Sequence, residues 1–193
     1  MGGAKISGAN VNGIASKGQL RASYLRWAVV TVPLMLLLGF ASGRSVPAGS
    51  ENGWYVALAK PELTPPGWMF PVAWTIIYIC QGLALAMILN ARGARGRMTA
   101  VALFAIGVVA ALVWMPLFFG AHRIVAAAVL ISAMVVIGIA TAFAFGRIRP
   151  LAAWLLVPYL VWISFATVLT WSIHQRNPDA ETVAPAARSS QLL

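Results

Sequence analysis

The chain has 193 residues, 61% of them hydrophobic and 9% charged, with a mean hydropathy of +0.84. A soluble domain carries roughly 45–50% apolar and about 25% charged residues, so the composition excludes that class and indicates an integral membrane protein. A net charge of +10 would suggest nucleic acid in a soluble chain; here the basic residues flank apolar runs, so topology and anionic lipid account for them and no nucleic-acid partner is expected.

Residues 1–26 are polar, rich in Gly, Ser, Asn and Lys, and are expected to be disordered. Five apolar runs follow, at about 27–43, 68–90, 98–119, 124–145 and 150–173, each near the roughly 20 residues that cross hydrocarbon. The expectation is an all-α membrane protein, a five-transmembrane-helix bundle spanning residues 27–176. A flexible tail at 177–193 completes it. The first run has a rival reading as a signal peptide, with small residues at Ala41, Ser42 and Gly43. Its 26-residue lead is long for that, and cleavage would leave four helices. Lys5, Lys17, Arg21, Arg26, Arg92, Arg95, Arg97, Arg147 and Arg149 fall on one side, against Arg44, Lys60, Arg123, Arg176 and Arg188 on the other. The positive-inside rule then puts the N-terminus in the cytoplasm, most simply of a bacterial cell membrane, with the C-terminus and the first loop outside.

The longest connection, residues 44–66, leads into the stretch WYVALAKPELTPPGWMFPVAWTIIYICQG at 54–82. Pro61, Pro65 and Pro66 stiffen its entry. Pro71 sits near the expected first helical turn, where a missing N–H costs little. Trp74, Tyr78 and Gly82 follow at i, i+4 and i+8 on one helix face. An aromatic stripe beside a rigid loop suggests a pocket with a lid; an ordinary membrane helix with interfacial aromatics is the blander account.

Depth separates the tryptophans. Trp27, Trp154 and Trp171 lie near span ends and read as belt residues. Trp74 lies roughly 9 Å into its span, Trp114 about five residues from the end of its own, and Trp162 near mid-membrane. All three fall in the half covered by the first loop, which favours a large flat ligand over belt anchoring. No span interior holds Asp, Glu, Lys, Arg or His, which argues against ion-coupled transport. The interior polar residues are mild: Gln81, Thr141, Ser164, Thr167 and Thr170, with the hydroxyls expected to bond back to their own helices. Pro158 is expected to kink the fifth span. Gly107/Ala111 and Gly138/Ala142 permit close helix approach, within the bundle or across a homodimer. Cys80 is the single cysteine, and no metal-ligand cluster or catalytic acid–base pair is visible. His122 and His174 read as water-exposed residues at the membrane face.

The runs KPELTPPGWMFPVAWTIIY, WMPLFFGAHR and PYLVWISFATVLTW resemble the TspO/MBR family, the tryptophan-rich sensory or translocator proteins, and the resemblance covers about 27–177. It implies five transmembrane helices and a pocket beneath the first loop. It also implies binding of tetrapyrroles such as protoporphyrin IX or haem, and of other flat hydrophobic ligands, with no permanent cofactor. The matching positions are Tyr55 in the loop, Trp74 and Tyr78 in span two, Trp114 and Phe118 in span three, and Trp162, Phe165 and Ala166 in span five. The chain departs from the family pattern at Leu63, where an aromatic is frequent, and at Ala111 and Thr170, where asparagine is frequent. Without the two amides the pocket becomes more apolar. The implied function is a membrane receptor or sensor in stress response or tetrapyrrole handling. Photo-oxidative porphyrin degradation and uncoupled porphyrin or lipid translocation remain the alternatives.

Overall fold

The computed structural model describes residues 17–181. Seven α-helices occur among them: α1 (Lys17–Arg44), α2 (Gly53–Ala57), α3 (Met69–Asn90), α4 (Arg97–Met115), α5 (Ile124–Gly146), α6 (Pro150–Trp154) and α7 (Val157–Arg176). No strand is present among the described residues. Five segments are long and apolar enough to cross a membrane: α1 with the short helices after it, α3, α4, α5, and α6 with α7. The five-span expectation holds. The first helix starts at Lys17, earlier than the apolar run, because Gln19, Arg21 and Ala22 are good helix formers although polar or small. The expected disorder of residues 1–16, and of the tail from 182 onward, falls outside the described residues.

Large apolar side chains such as Val29, Leu37, Ile106, Val136, Ile139 and Val168 are exposed on the outer faces of the helices. In water this would be untenable; against lipid tails it costs nothing. Close packing therefore has to come from shape. Gly82 of α3 sits against the α1 backbone, and a Cβ there would lie 2.6 Å from Val32 Cα. A Cβ on Gly39 would overlap the Tyr78 ring. The Thr31 hydroxyl lies 2.7 Å from Gly82 O and 3.0 Å from Trp27 O, within donating reach of either. The α1–α3 seam is thus built from two glycines and one hydroxyl. Gly138 plays a similar part between α5 and α7, beside Leu160 and Tyr159.

Proline sets the two interruptions. Pro116 has no N–H to continue the α4 ladder, and Pro116–Gly120 forms a π-helical segment closed by Ala121 N–H donating to Pro116 O at 2.8 Å. Pro158 sits in the first turn of α7, and the fifth span breaks at residues 155–156, as expected from sequence. Thr141, Thr167 and Thr170 each donate to the carbonyl four residues earlier, also as expected.

Candidate functional site

The connection between α1 and α3 is a built structure. Asn52 caps α2 by accepting from Tyr55 N–H, and its amide nitrogen donates to Pro47 O and Phe119 O, both at 2.9 Å. Lys60 Nζ donates to the carbonyls of Tyr55, Val56 and Leu58 at 2.8–3.1 Å and stands 4.8 Å from the Tyr55 ring centre. The far end of the chain clasps the same loop. Asn177 accepts from Ala59 N–H through Oδ1 (2.8 Å) and donates from Nδ2 to Ala59 O (2.9 Å) and Ile173 O (2.7 Å). Trp54 Nε1 donates to Ala180 O at 3.2 Å. Glu181 accepts from Val125 N–H at the start of α5 and pairs with Arg123 at 3.6 Å. The neutral clamps among these, those of Asn52, Asn177 and Trp54, are individually modest, about 0.5–1.5 kcal/mol each. Several together fix the loop over the bundle end.

Beneath the loop the rings form two connected groups. Phe118 is buried; Trp114 stacks on it (5.0 Å, 8°), while Tyr55 and Trp54 meet it edge-on at 6.2 and 5.6 Å. This group continues through Leu58 and Leu169 to Phe165. The second group gathers Trp74, Trp162 and Ala166 around Ile77, Met134 and Ile163. Trp114 belongs to both. Trp74 stacks on Tyr78 at 5.3 Å, Phe70 meets Trp162 edge-on at 5.5 Å, and Trp162 lies 6.0 Å from Phe165. Seven of the eight positions singled out from sequence therefore lie in two adjoining clusters; the eighth, Tyr78, packs against the neighbouring aliphatic cluster and joins them only through its stack on Trp74. Tyr78 also serves the α1 seam, and Gly82, on the same stripe, serves only that seam.

The indole N–H groups differ in commitment. Trp114 Nε1 donates to Ala127 O at 3.1 Å and Trp171 Nε1 to Ser132 Oγ at 3.2 Å. Trp74 and Trp162 make no such bond among the described residues. Trp154 is 71% exposed, in keeping with a lipid-facing belt position. Trp171 departs from that expectation, because its N–H is engaged with α5. His122 is half-buried rather than open to water. It lies face to face with Trp54 at 4.3 Å and 21°, on a backbone at φ +57°. Sequence reasoning passed over Trp54, Phe70 and Tyr159. An aromatic adjacent to Tyr55 in a proline-stiffened loop was the one signal for Trp54. Among the described residues no group of three His, Cys, Asp or Glu side chains is placed to hold a metal ion.

The space between these rings is small. A cavity lined by Trp74, Tyr78, Gln81, Ala111 and Tyr159 has a volume of about 10 Å³, room for about one water. A macrocycle enters only if rings and helices part.

The model of the TspO/MBR family matches residues 29–176. The chain belongs to this family. It is 38% identical to the tryptophan-rich protein TspO of Chlorobaculum tepidum over 76% of this chain and 93% of that protein. It is 36% identical to the translocator protein of Sus scrofa over 72% of this chain and 83% of its relative. It is 30% identical to protein CrtK of Rhodobacter capsulatus over 69% and 84%. Family membership and five apolar spans make this an integral, multi-pass membrane protein.

Proposed function

We propose that the protein is a membrane receptor for tetrapyrroles such as protoporphyrin IX or haem, acting in stress response or tetrapyrrole handling. The ligand lies beneath the first loop, flat against Trp74 and Trp162. One observation supports this reading above the others. Trp74, Trp114 and Trp162 come from three helices and surround one cluster under one clasped loop. Flat rings in such an arrangement part along their faces without opening the aliphatic half of the bundle. Each aromatic contact adds about 0.5–1.5 kcal/mol beyond area burial. Titration of the purified protein with protoporphyrin IX, followed by tryptophan quenching and the porphyrin absorption band, should give saturable one-to-one binding. A linear, non-saturating response would refute the proposal.

The membrane is proposed to be a bacterial cell membrane, with the N-terminus cytoplasmic, because nine basic residues fall on that side and five on the other. Single cysteines at Ser7 and Ser190 should react with an impermeant maleimide from opposite sides. Reaction from the same side sinks the orientation.

A further inference from the structure

The net charge is not spread over the molecule. All four acidic residues, Glu51, Glu62, Asp179 and Glu181, belong to the first loop or to the segment after α7, at the loop end of the bundle. Among the described residues the opposite end carries eight basic residues and no acidic one. No carboxylate stands there to pair with a cation. On the α3–α4 turn Arg92 and Arg95 are exposed, while Arg97 is turned back on Leu89 O at 2.9 Å. Between α5 and α6, Ile148 packs inward on the aliphatic cluster, and Arg147 and Arg149 on either side of it are exposed. An orientation bias needs only the number of such cations. Their placement beside a lipid-facing surface is a separate fact.

That surface lies at the α5–α6 turn. Phe143 faces outward from α5, one turn and roughly 6 Å deeper than Arg147 at 1.5 Å per residue. The Arg147 guanidinium lies over its ring, 4.5 Å from the centre. Helix α6 packs back on the end of α5, where a Cβ on Gly146 would lie 3.4 Å from Ala153 Cβ. Leu151 and Trp154, on the same short helix, are exposed. Two unpaired guanidinium groups thus stand at the rim of an outward apolar patch of one phenyl ring, one indole and one leucine. Arg44 and Phe40 form a similar pair at the loop end, 5.8 Å apart, but that end holds every carboxylate.

We propose that Arg147 and Arg149, with Phe143, Leu151 and Trp154, bind one anionic phospholipid. Its phosphodiester sits on the guanidinium groups, and an acyl chain runs along the three apolar side chains. The chemistry fixes the class. A planar guanidinium meets two phosphate oxygens at once. A choline or ethanolamine headgroup would bring its own cation among arginines, with no carboxylate to receive it; a glycerol headgroup brings none. The apolar patch selects a lipid over a soluble phosphate, because only a lipid covers it. The assignment does not depend on what lies beneath the first loop.

Native mass spectrometry of the detergent-purified protein tests it, with phosphatidylglycerol and phosphatidylcholine of identical acyl chains offered in equal amounts. The wild type should retain phosphatidylglycerol about three- to tenfold more, since one basic residue near a bilayer surface is worth about fivefold. Arg147→Gln with Arg149→Gln should bring the ratio close to one. Seven basic residues then still face five, so the orientation bias stays. Arg149→Gln alone, which leaves Arg147 on Phe143, should lower the ratio in part and serves if the double variant does not fold. Arg44→Gln with Arg176→Gln removes the same charge from the loop end and should leave the ratio unchanged. Equal retention of the two lipids by the wild type, or a preference that survives the Arg147 and Arg149 substitutions, would overturn the assignment. So would an equal loss in the loop-end pair, which would mark bulk charge rather than a site. Glycerol phosphate, the headgroup without chains, should not displace the lipid at tenfold excess; displacement would overturn the lipid in favour of a soluble anion.

Discussion

The two ends of the bundle are both apolar but are held together by different means. At the end away from the first loop, Met35, Ala84, Ile88, Phe104, Phe145 and Leu156 interlock, and most of the side chains there are aliphatic. Shape does the holding, and close helix approach depends on small residues. At the loop end, rings meet rings, and Asn52, Lys60 and Asn177 clamp the cover through backbone groups. Interlocked aliphatics resist separation until the fold fails. Stacked rings under a hydrogen-bonded cover separate in steps, since each clamp at the membrane edge can be exchanged for water. The expectation is a division of work, in which one end fixes the fold and the other opens while the fold persists.

The sharpest way to break this division is through the α1–α3 seam. Gly82→Ala puts a methyl within 3.0 Å of Val32 backbone atoms, which cannot move aside as a side-chain tip would. It should cost about 1–3 kcal/mol, seen as a lowered Tm in detergent. Gly107→Ala is the control: its nearest foreign atom would be Ile137 Cγ2 at 3.6 Å, an ordinary contact. Relief of backbone entropy should then leave stability unchanged or raised by about 0.4–1 kcal/mol. Equal losses at both glycines would show that the seam is not special.

At the loop end the expectation is lost binding with the fold intact. Trp74→Ala and Trp162→Ala should each weaken protoporphyrin binding by about 1–3 kcal/mol, the usual worth of a stacking platform. Trp154→Ala, on the exposed face, should leave it unchanged. Equal losses in all three titrations would mean that folding, not the site, had been damaged. A smaller effect is expected at the clasp. Asn177→Ala removes three hydrogen bonds, two of them to Ala59. It should speed hydrogen exchange at the Ala59 amide by about tenfold, matching roughly 1–1.5 kcal/mol, while Tm barely moves. A large fall in Tm would contradict the separation of the two ends. The smallest effect is iron itself. Under the proposed function stacking would hold the macrocycle whatever its centre carries, and His122 already lies against Trp54. Haem and protoporphyrin IX should bind with similar affinity and without a low-spin haem spectrum. A low-spin spectrum lost in His122→Ala or His174→Ala would mark axial ligation instead.

The spans were legible because apolar runs of membrane length end at arginines and prolines. The interruption at Pro158 was legible too, from the missing N–H alone. The start of α1 was not, since hydropathy reports the apolar run while helix propensity carries the coil on to Lys17. Trp74, Trp114 and Trp162 emerged by counting residues from span ends, which measures depth. Rotation is harder to read: in a bilayer both the lipid face and the packed face of a helix are apolar, so periodicity does not say which side is inward. Gly82 therefore read as part of an aromatic stripe although it packs on α1. Gln81 likewise read as one mild polar residue among five, although the three threonines of that set bond back to their own helices while its amide faces a cavity. The Asn177–Ala59 pair joins positions too far apart in sequence for any local pattern to announce.

That pair also sets an order in time. Asn177 follows Ala59 by 118 residues, so at about 5–20 residues per second some 6–24 s of synthesis separate the two partners. Until the last span has emerged and inserted, the first loop has only its partners on the third span, Asn52 on Phe119 O and the rings of Trp54 and Tyr55 on Phe118. The aromatic end is accordingly the last region of the molecule to be completed, and a nascent chain passes through a stage in which four helices are in place and the cover is held at one side alone.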